Sequence, residues 1–328
     1  MAGRGSRLRP HTLTVPKPLI PIAGKPIVQR LVEDIARVCN ENVDEIAFII
    51  GDFGIEIEKN LISIAQSLGA KGTIYHQEEA LGTAHAILCA KESLIGNVVV
   101  AFADTLFKAD FTLDNSADGI IWVKQIENPS AFGVVKLNEN NEITDFIEKP
   151  ETFVSDLAII GIYYFKNGEQ LCNELQYLID NNIKEKGEFQ LTNALENMKA
   201  KGVKFKPGEV TEWLDCGNKD VTVNTNNKVL SLNKEYNNVP KSDKFINSVI
   251  IPPCFIGEDV TLKDAVIGPH VSIGNGSKIE KCIIENTIIQ EDSILNNSVI
   301  KNSMIGNKVV YNGAPKDLSI GDYTVIQS

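Results

Sequence analysis

Residues 1–26 read MAGRGSRLRPHTLTVPKPLIPIAGKP, and the rest of the chain is organised around them. Glycines 3, 5 and 24 and prolines 10, 16, 18, 21 and 26 are packed into one loop-like run rich in Arg and Lys. Glycine lets a backbone come close to a phosphate and present its N–H groups. Arg and Lys then neutralise the phosphate charge. A disordered basic tail is the plain alternative, but it would have little use for Leu8, Leu13, Leu19, Ile20 and Ile22. The run reads as a folded, phosphate-handling loop.

Its setting is acidic. The 328-residue chain carries 32 Lys and Arg against 43 Asp and Glu, a net charge of −11. That balance argues against nucleic acid or an anionic membrane as the main partner, and makes the basic opening a local site. The length suggests two domains, or one large domain with an appendage. A 43% hydrophobic content can supply a core. The six cysteines are scattered, with no CxxC and no zinc spacing, which fits a reducing compartment. With no signal peptide and no apolar run of about 18 residues, the expected location is the cytoplasm.

Beyond the loop, apolar residues 27, 28, 31, 32, 35 and 38 have helical spacing. Residues 45–50 (EIAFII) read as a buried strand, 55–68 as a helix, 72–76 as a strand and 83–93 as a helix. Residues 97–103 (NVVVAFA) form a strongly apolar strand that stops at Asp104. Such alternation implies a parallel sheet covered on both faces. Ligands bind beyond the carboxyl ends of its strands, which is where Asp104 falls.

After Gly119 the character changes. Strands are expected at 119–125, 132–137, 143–148 and 158–165. Helices follow at 168–180 and 192–201, strands at 203–206 and 211–214, and a last helix at 221–232. Residues 1–233 thus read as one α/β domain with an inserted antiparallel part, and 234–244 as a polar linker. From 245 to 328, Ile or Val recurs mostly every five or six residues, with Gly, Asn and Ser between. That period suits a parallel β-helix of roughly three coils.

The opening resembles the signature of the sugar-nucleotide pyrophosphorylases, nucleotidyltransferases that act on sugar 1-phosphates. The pattern G-x-G-T-R-L, P-x-T, P-K-P and K-P stands here as Gly3-Arg4-Gly5-Ser6-Arg7-Leu8, Pro10-His11-Thr12, Pro16-Lys17-Pro18 and Lys25-Pro26. The resemblance continues through QEEALGTAHA (77–86), Asp104, Phe132-Gly133-Val134, Glu148-Lys149-Pro150, Gly187-Glu188 with Thr192, and Trp213-Leu214-Asp215-Cys216-Gly217. It implies a Rossmann-like mixed-sheet catalytic domain with a short left-handed parallel β-helix at 245–328.

The resemblance also implies a chemistry. A sugar phosphate oxygen attacks the α-phosphorus of a nucleoside triphosphate and pyrophosphate leaves, so positioning and charge neutralisation do most of the work. Arg7, Lys17 and Lys149 are the implied catalytic residues. Ala2, Gly3, Gly5, Ser6, Gln77, Gly82 and Thr83 would hold the nucleotide, and Gly133, Glu148, Glu188 and Thr192 the sugar. Asp104 and Asp215 would share a Mg²⁺. No acid–base residue is required, since the nucleophile is already anionic; His85 and His270 have no evident partner in the sequence. The substrates implied are glucose 1-phosphate with dTTP or UTP. The alternatives are mannose 1-phosphate with GTP, a non-catalytic regulatory subunit that binds sugar nucleotides, and a second acyltransferase activity in the β-helix. A homo-oligomer formed through the β-helix, or an allosteric contact there, is favoured over the last of these.

Some positions depart from the family pattern. Ala2 replaces the usual glycine, Ser6 a threonine, His11 a leucine and Asn193 an aspartate. In the family the glycine loop follows an apolar first strand, whereas here only Met1 precedes it. On that comparison the chain is expected to lack about six residues of a longer form, the length of one strand.

Overall fold

The structure, a computed structural model, describes residues 5–39 and 41–314. The chain forms two compact units: Met1–Ile20 with Lys25–Gly217, and Pro21–Gly24 with Asn218–Ser328. The division between the two units falls between Gly217 and Asn218. In chain order the elements are β1 (Pro21–Ile22), β2 (Lys25–Pro26), α1 (Ile27–Cys39), β3 (Glu45–Ile50), α2 (Ile55–Ser67), β4 (Lys71–His76) and α3 (Thr83–Leu88). Next come β5 (Val98–Ala101), β6 (Thr105–Lys108), β7 (Gly119–Gln125), β8 (Gly133–Leu137), β9 (Ile143–Glu148) and β10 (Leu157–Phe165). They are followed by α4 (Gly168–Asp180), α5 (Leu191–Ala200), β11 (Phe205–Glu209), β12 (Glu212–Asp215) and α6 (Lys219–Leu232). β1 and α6 belong to the second unit.

In the first unit β10 is the central strand. Its run LAIIGIYYF is buried at every position but the first. It pairs antiparallel with β5, β7 and β8, and the sheet continues to β11 on one side and β9 on the other. β11 joins β7 in parallel. β3 and β4 make a separate parallel pair, and β6 and β12 a separate antiparallel pair. The parallel sheet suggested by residues 45–103 is thus confined to β3–β4, because β5 pairs with the long strand β10 of the antiparallel part. The helices bury the face that their apolar spacing marks: Leu171, Leu175 and Leu178 of α4 and Leu195 and Met198 of α5 share one core with Phe165 and Phe205. The Asn167 side chain caps α4 by accepting from the Gln170 N–H at 2.7 Å. The helix expected over 83–93 stops at Leu88, where three-residue bonds such as Ala90 N–H to the Ile87 carbonyl tighten the last turn.

The second unit contains a parallel solenoid. Phe245, Leu262, Ile279, Leu295 and Tyr311 are equivalent by register on successive strands. They bound four turns, one more than the sequence reading allowed. Leu262, Ile279 and Leu295 point into a core shared with Ile267, Ile284, Val271, Ile273 and Ile289. Each turn has a corner in left-handed backbone at Asn247, Asp264, Lys281 or Asn297, all at positive φ. Asn and Asp tolerate that conformation, which explains their recurrence.

α6, capped by Asn218, turns a polar side inward: Thr222, Thr225 and Asn226 are buried. The Asn226 Oδ1 accepts from the Ala23 N–H at 2.9 Å and from the Ser272 hydroxyl at 2.7 Å. Within the polar stretch 234–244, Tyr236 donates its hydroxyl to the Ala23 carbonyl at 3.1 Å. Among the described residues, no helix is long and apolar enough to cross a membrane.

Candidate active site

The loop at residues 5–20 of the first unit folds back on itself. Gly5 adopts a positive φ, and its carbonyl accepts the Thr12 hydroxyl at 2.8 Å. Ser6, Arg7 and Leu8 form a short 3-10 turn that buries Leu8 and leaves Arg7 exposed. A second turn at Lys17–Leu19 buries Lys17. The proposed nucleotide contacts at Ala2 and Gly3 lie outside the described residues.

Lys17 donates from Nζ to the Asp104 carboxylate at 3.0 Å. Asp104 lies between β5 and β6, and Asp215 ends β12. Since β6 and β12 pair with Asp215 opposite Thr105, Asp104, one residue before β6, is brought beside the end of β12. The Cys216 N–H, next in sequence to Asp215, donates to the Asp104 carbonyl at 3.1 Å. Burial pushes the Asp215 carboxyl above its ordinary range, and the Asp104 charge adds to that. Lys17, the Gly217 N–H and Arg7 act in the opposite direction. The result is a crowded pair of carboxylates held by buried and exposed cations. Among the described residues no third acidic, His or Cys side chain joins it.

A second group of residues is tied to this one through aromatic packing. The ring of Trp213, two residues before Asp215, meets Phe132 edge-on at 4.7 Å. The Phe132 carbonyl accepts the Lys149 N–H at 3.2 Å. Gly133, next in sequence, pairs with Glu148 across β8–β9. A Cβ on Gly133 would sit 3.2 Å from Glu148 Oε2 and 3.8 Å from Thr192 Cγ2, so the absence of a side chain keeps space open between these residues. Lys149 has a positive φ, and its Nζ stays 3.4 Å from Glu148 Oε1. The Thr192 hydroxyl is buried without a hydrogen-bond partner, an open valence in a site of this kind. Tyr163 lies beneath: burial raises its phenol far above the usual range, and the Glu148 charge adds to it.

The third group lies past the carboxyl end of β4. Gln77 is 8% exposed, and its N–H donates to the Ile50 carbonyl at 2.8 Å, continuing the β3–β4 ladder. Gly82 has φ +118°, and a Cβ there would lie 2.5 Å from the Phe189 carbonyl oxygen, so only glycine fits. The Thr83 hydroxyl accepts the Leu191 N–H at 3.0 Å and lies 3.3 Å from Gln190 Oε1. These bonds join α3 to the start of α5, where Thr192 sits. Glu188 is exposed in a tight turn with Glu185, and its carboxylate accepts from Gln190 Nε2 at 3.1 Å.

The structure therefore links Lys17, Asp104, Asp215, Gly133, Glu148, Lys149, Thr192, Gln77, Gly82 and Thr83 through short chains of contacts within one unit. Glu188 stands at its edge. Sequence reasoning gave no role to His85, whose Nδ1 lies 3.1 Å from Gln77 Nε2. Its spacing, eight residues after Gln77 and within the first turn of α3, was the available signal.

The chain is similar to several known proteins over much of its length. A protein of Methanococcus maripaludis named bifunctional protein GlmU is 34% identical over 275 residues, covering 82% of this chain and 61% of that protein. The chain thus spans less than two thirds of that relative. A low-salt glycan biosynthesis nucleotidyltransferase of Haloferax volcanii is 31% identical over 70% of this chain and 64% of its own length. A glucose-1-phosphate thymidylyltransferase of Streptomyces antibioticus is 28% identical over 84% and 82%. Among solved structures, a UDP-glucose pyrophosphorylase complexed with UDP-glucose superposes with a TM-score of 0.57 at 23% identity, over 71% of this chain and 97% of the other, which shows the shared fold. The nucleotidyl transferase family model matches residues 1–231, and the chain belongs to that family.

Proposed function

We propose that this protein joins a nucleoside triphosphate to a sugar 1-phosphate, forming a nucleoside diphosphate sugar and pyrophosphate. The observation that carries the reading is the linkage of three groups in one unit: a Lys17–Asp104–Asp215 cluster, a Glu148–Lys149 pair beside an open glycine, and a buried amide at a strand end. The sugar phosphate oxygen attacks the α-phosphorus, and the bond from that phosphorus to the β-phosphate oxygen breaks. No proton has to move, because the nucleophile is already anionic and pyrophosphate leaves as an anion.

Each residue then has a task. Arg7 and the N–H groups of the loop at Gly3, Gly5 and Ser6 hold the triphosphate, with Ala2 at its edge. Lys17 lies by the transferring phosphate and Lys149 holds the sugar phosphate, so that two anions meet in line. Glu148, Glu188 and Thr192 take hydrogen bonds from sugar hydroxyls above Gly133, and Gln77 with Gly82 meets the base. Thr83 supports that segment through Leu191. Asp104 and Asp215 suit a hard divalent cation such as Mg²⁺, which takes few protein carboxylates and completes its shell from phosphate and water. The ammonium of Lys17 on Asp104 marks the place as one that attracts positive charge. Such a cation would offset charge on the phosphate oxygens.

Glucose 1-phosphate with dTTP or UTP is the favoured pair, in keeping with the thymidylyltransferase relative; mannose 1-phosphate with GTP is the second. The solenoid would hold copies together through its outer face, and the enzyme would work in the cytoplasm. The test is pyrophosphate release from each NTP with glucose, mannose, galactose and glucosamine 1-phosphates in the presence of Mg²⁺. Turnover of at least one pair is expected, and no release with any pair would overturn the reading.

A further inference from the structure

The Gln77 amide is oriented by its neighbours. Two atoms face its Nε2: the Gly82 carbonyl oxygen at 3.3 Å and His85 Nδ1 at 3.1 Å. A carbonyl can only accept, so the nitrogen arm of the amide must lie on that side. The two N–H bonds are then used up, one on Gly82 and one on His85. Because the amide nitrogen can only donate, His85 Nδ1 takes the accepting role in this contact. The Gly82 carbonyl cannot move to relieve this arrangement, since its residue is wedged against the Phe189 backbone.

That leaves Oε1 on the opposite arm. Gln77 as a whole is 8% exposed. Oε1 has no hydrogen-bond partner among the described residues, yet it keeps accessible surface, unlike an enclosed unpartnered core atom such as Trp122 Nε1. A buried side chain whose one open valence still reaches solvent at a strand end is a ligand contact in waiting.

We propose that His85 is a positioning residue for nucleobase selection: by holding Nε2 inward it fixes Oε1 outward, so the site presents an acceptor. An acceptor pairs with a base whose ring nitrogen carries a hydrogen, as in uracil, thymine and guanine. It repels the bare ring nitrogen on the pairing edge of cytosine or adenine. Without His85 the amide keeps only the weaker Gly82 bond and can turn its N–H₂ outward, which removes the discrimination. The proposal rests on the reading of Gln77 as a base contact made above, and it adds the residue that decides which way that contact faces.

The test compares kcat/KM for UTP, dTTP and GTP with that for CTP and ATP, in the parent chain and in three variants. In the parent, the best substrate is one of the first three. In His85→Phe the ring shape remains but the acceptor is lost, and the preference should fall by about tenfold, the equivalent of one hydrogen bond. The change should appear in KM more than in kcat, since no reacting atom is touched. In His85→Asn, whose side-chain carbonyl can stand where Nδ1 stood, most of the preference should return. This rescue separates positioning from simple packing. Gln77→Ala tells the two readings apart. If it leaves the base preference unchanged, Gln77 does not contact the base and the underlying reading fails. If Gln77→Ala alters the preference but His85→Phe does not, or if the parent chain prefers CTP or ATP, the role given to His85 is overturned.

Discussion

Lys17 and Asp104 form an ion pair at 3.0 Å in which the lysine side chain is 8% exposed and the aspartate 50%. The cation is sunk in the protein and its partner opens to solvent. Such an asymmetric pair does little for stability, because the aspartate is well solvated. It does fix a positive charge at the mouth of the site, where a phosphate would meet it.

Replacing Asp104 by Asn should therefore act on turnover and not on folding. Pyrophosphate release is expected to fall by about a hundredfold or more, as when a group that stabilises transition-state charge is removed. The thermal midpoint should move by only a degree or two at most. Unchanged turnover would remove Asp104 from the cation site.

Gly133 tests the space beside Glu148. In Gly133→Ala the new methyl group would lie 3.2 Å from Glu148 Oε2 and 3.3 Å from Ile159 Cδ1. We expect KM for the sugar 1-phosphate to rise about tenfold, with KM for the nucleotide near its starting value. Steady-state kinetics with each substrate varied in turn would show it, and an equal rise in both constants would point to a general distortion instead.

Gly82 has no such tolerance. At φ +118°, with the Phe189 carbonyl oxygen 2.5 Å from a built Cβ, Gly82→Ala should destabilise the first unit by about 1–3 kcal/mol or more. Denaturant unfolding measures this. A stability equal to the parent would mean that the 77–82 segment can move away from Phe189.

Cys254 gives a pH prediction in the second unit. Burial pushes its thiol up to about 11, and the Val271 and His270 N–H groups only partly offset this. A thiol pKa raised by folding adds stability that is fully present below the unfolded value. That stability is lost as pH rises through the folded one. A shift of about two units corresponds to roughly 3 kcal/mol. The second unit should weaken between about pH 9 and 11, and Cys254→Ala should flatten that slope. Alkylation of Cys254 in the folded protein at pH 8 should be far slower than in urea, since only the thiolate reacts.

The outer face of the solenoid carries Val249, Val266, Ile283 and Val299 in register on four successive strands. Val249, Ile283 and Val299 are exposed. If copies associate through this ladder, Val299→Lys should shift the mass seen by light scattering toward the monomer with no change in solenoid folding. An unchanged mass would place any association elsewhere.

The order of motifs from Gly5 to Gly217 and the tail's recurring Ile and Val could be read from the chain, because both are local. A glycine loop, a strand-ending aspartate and an apolar residue every five or six positions each leave their mark over a few residues. Pairings between distant segments leave none. That Asp104 and Asp215 share a cluster depends on β6 pairing with β12, and that Thr83 serves the start of α5 depends on a bond to Leu191. The place of α6 in the second unit rests on the buried Asn226, whose partners Ala23 and Ser272 lie on either side of it in sequence. The orientation of the Gln77 amide is the finest case. Its composition is fixed by one codon, but which arm faces the ligand depends on a carbonyl five residues away and an imidazole eight residues away, placed by the turn at Gly82. Residue types and their spacing were enough to name the family; hydrogen bonds formed on folding decide the direction in which a side chain such as Gln77 is presented.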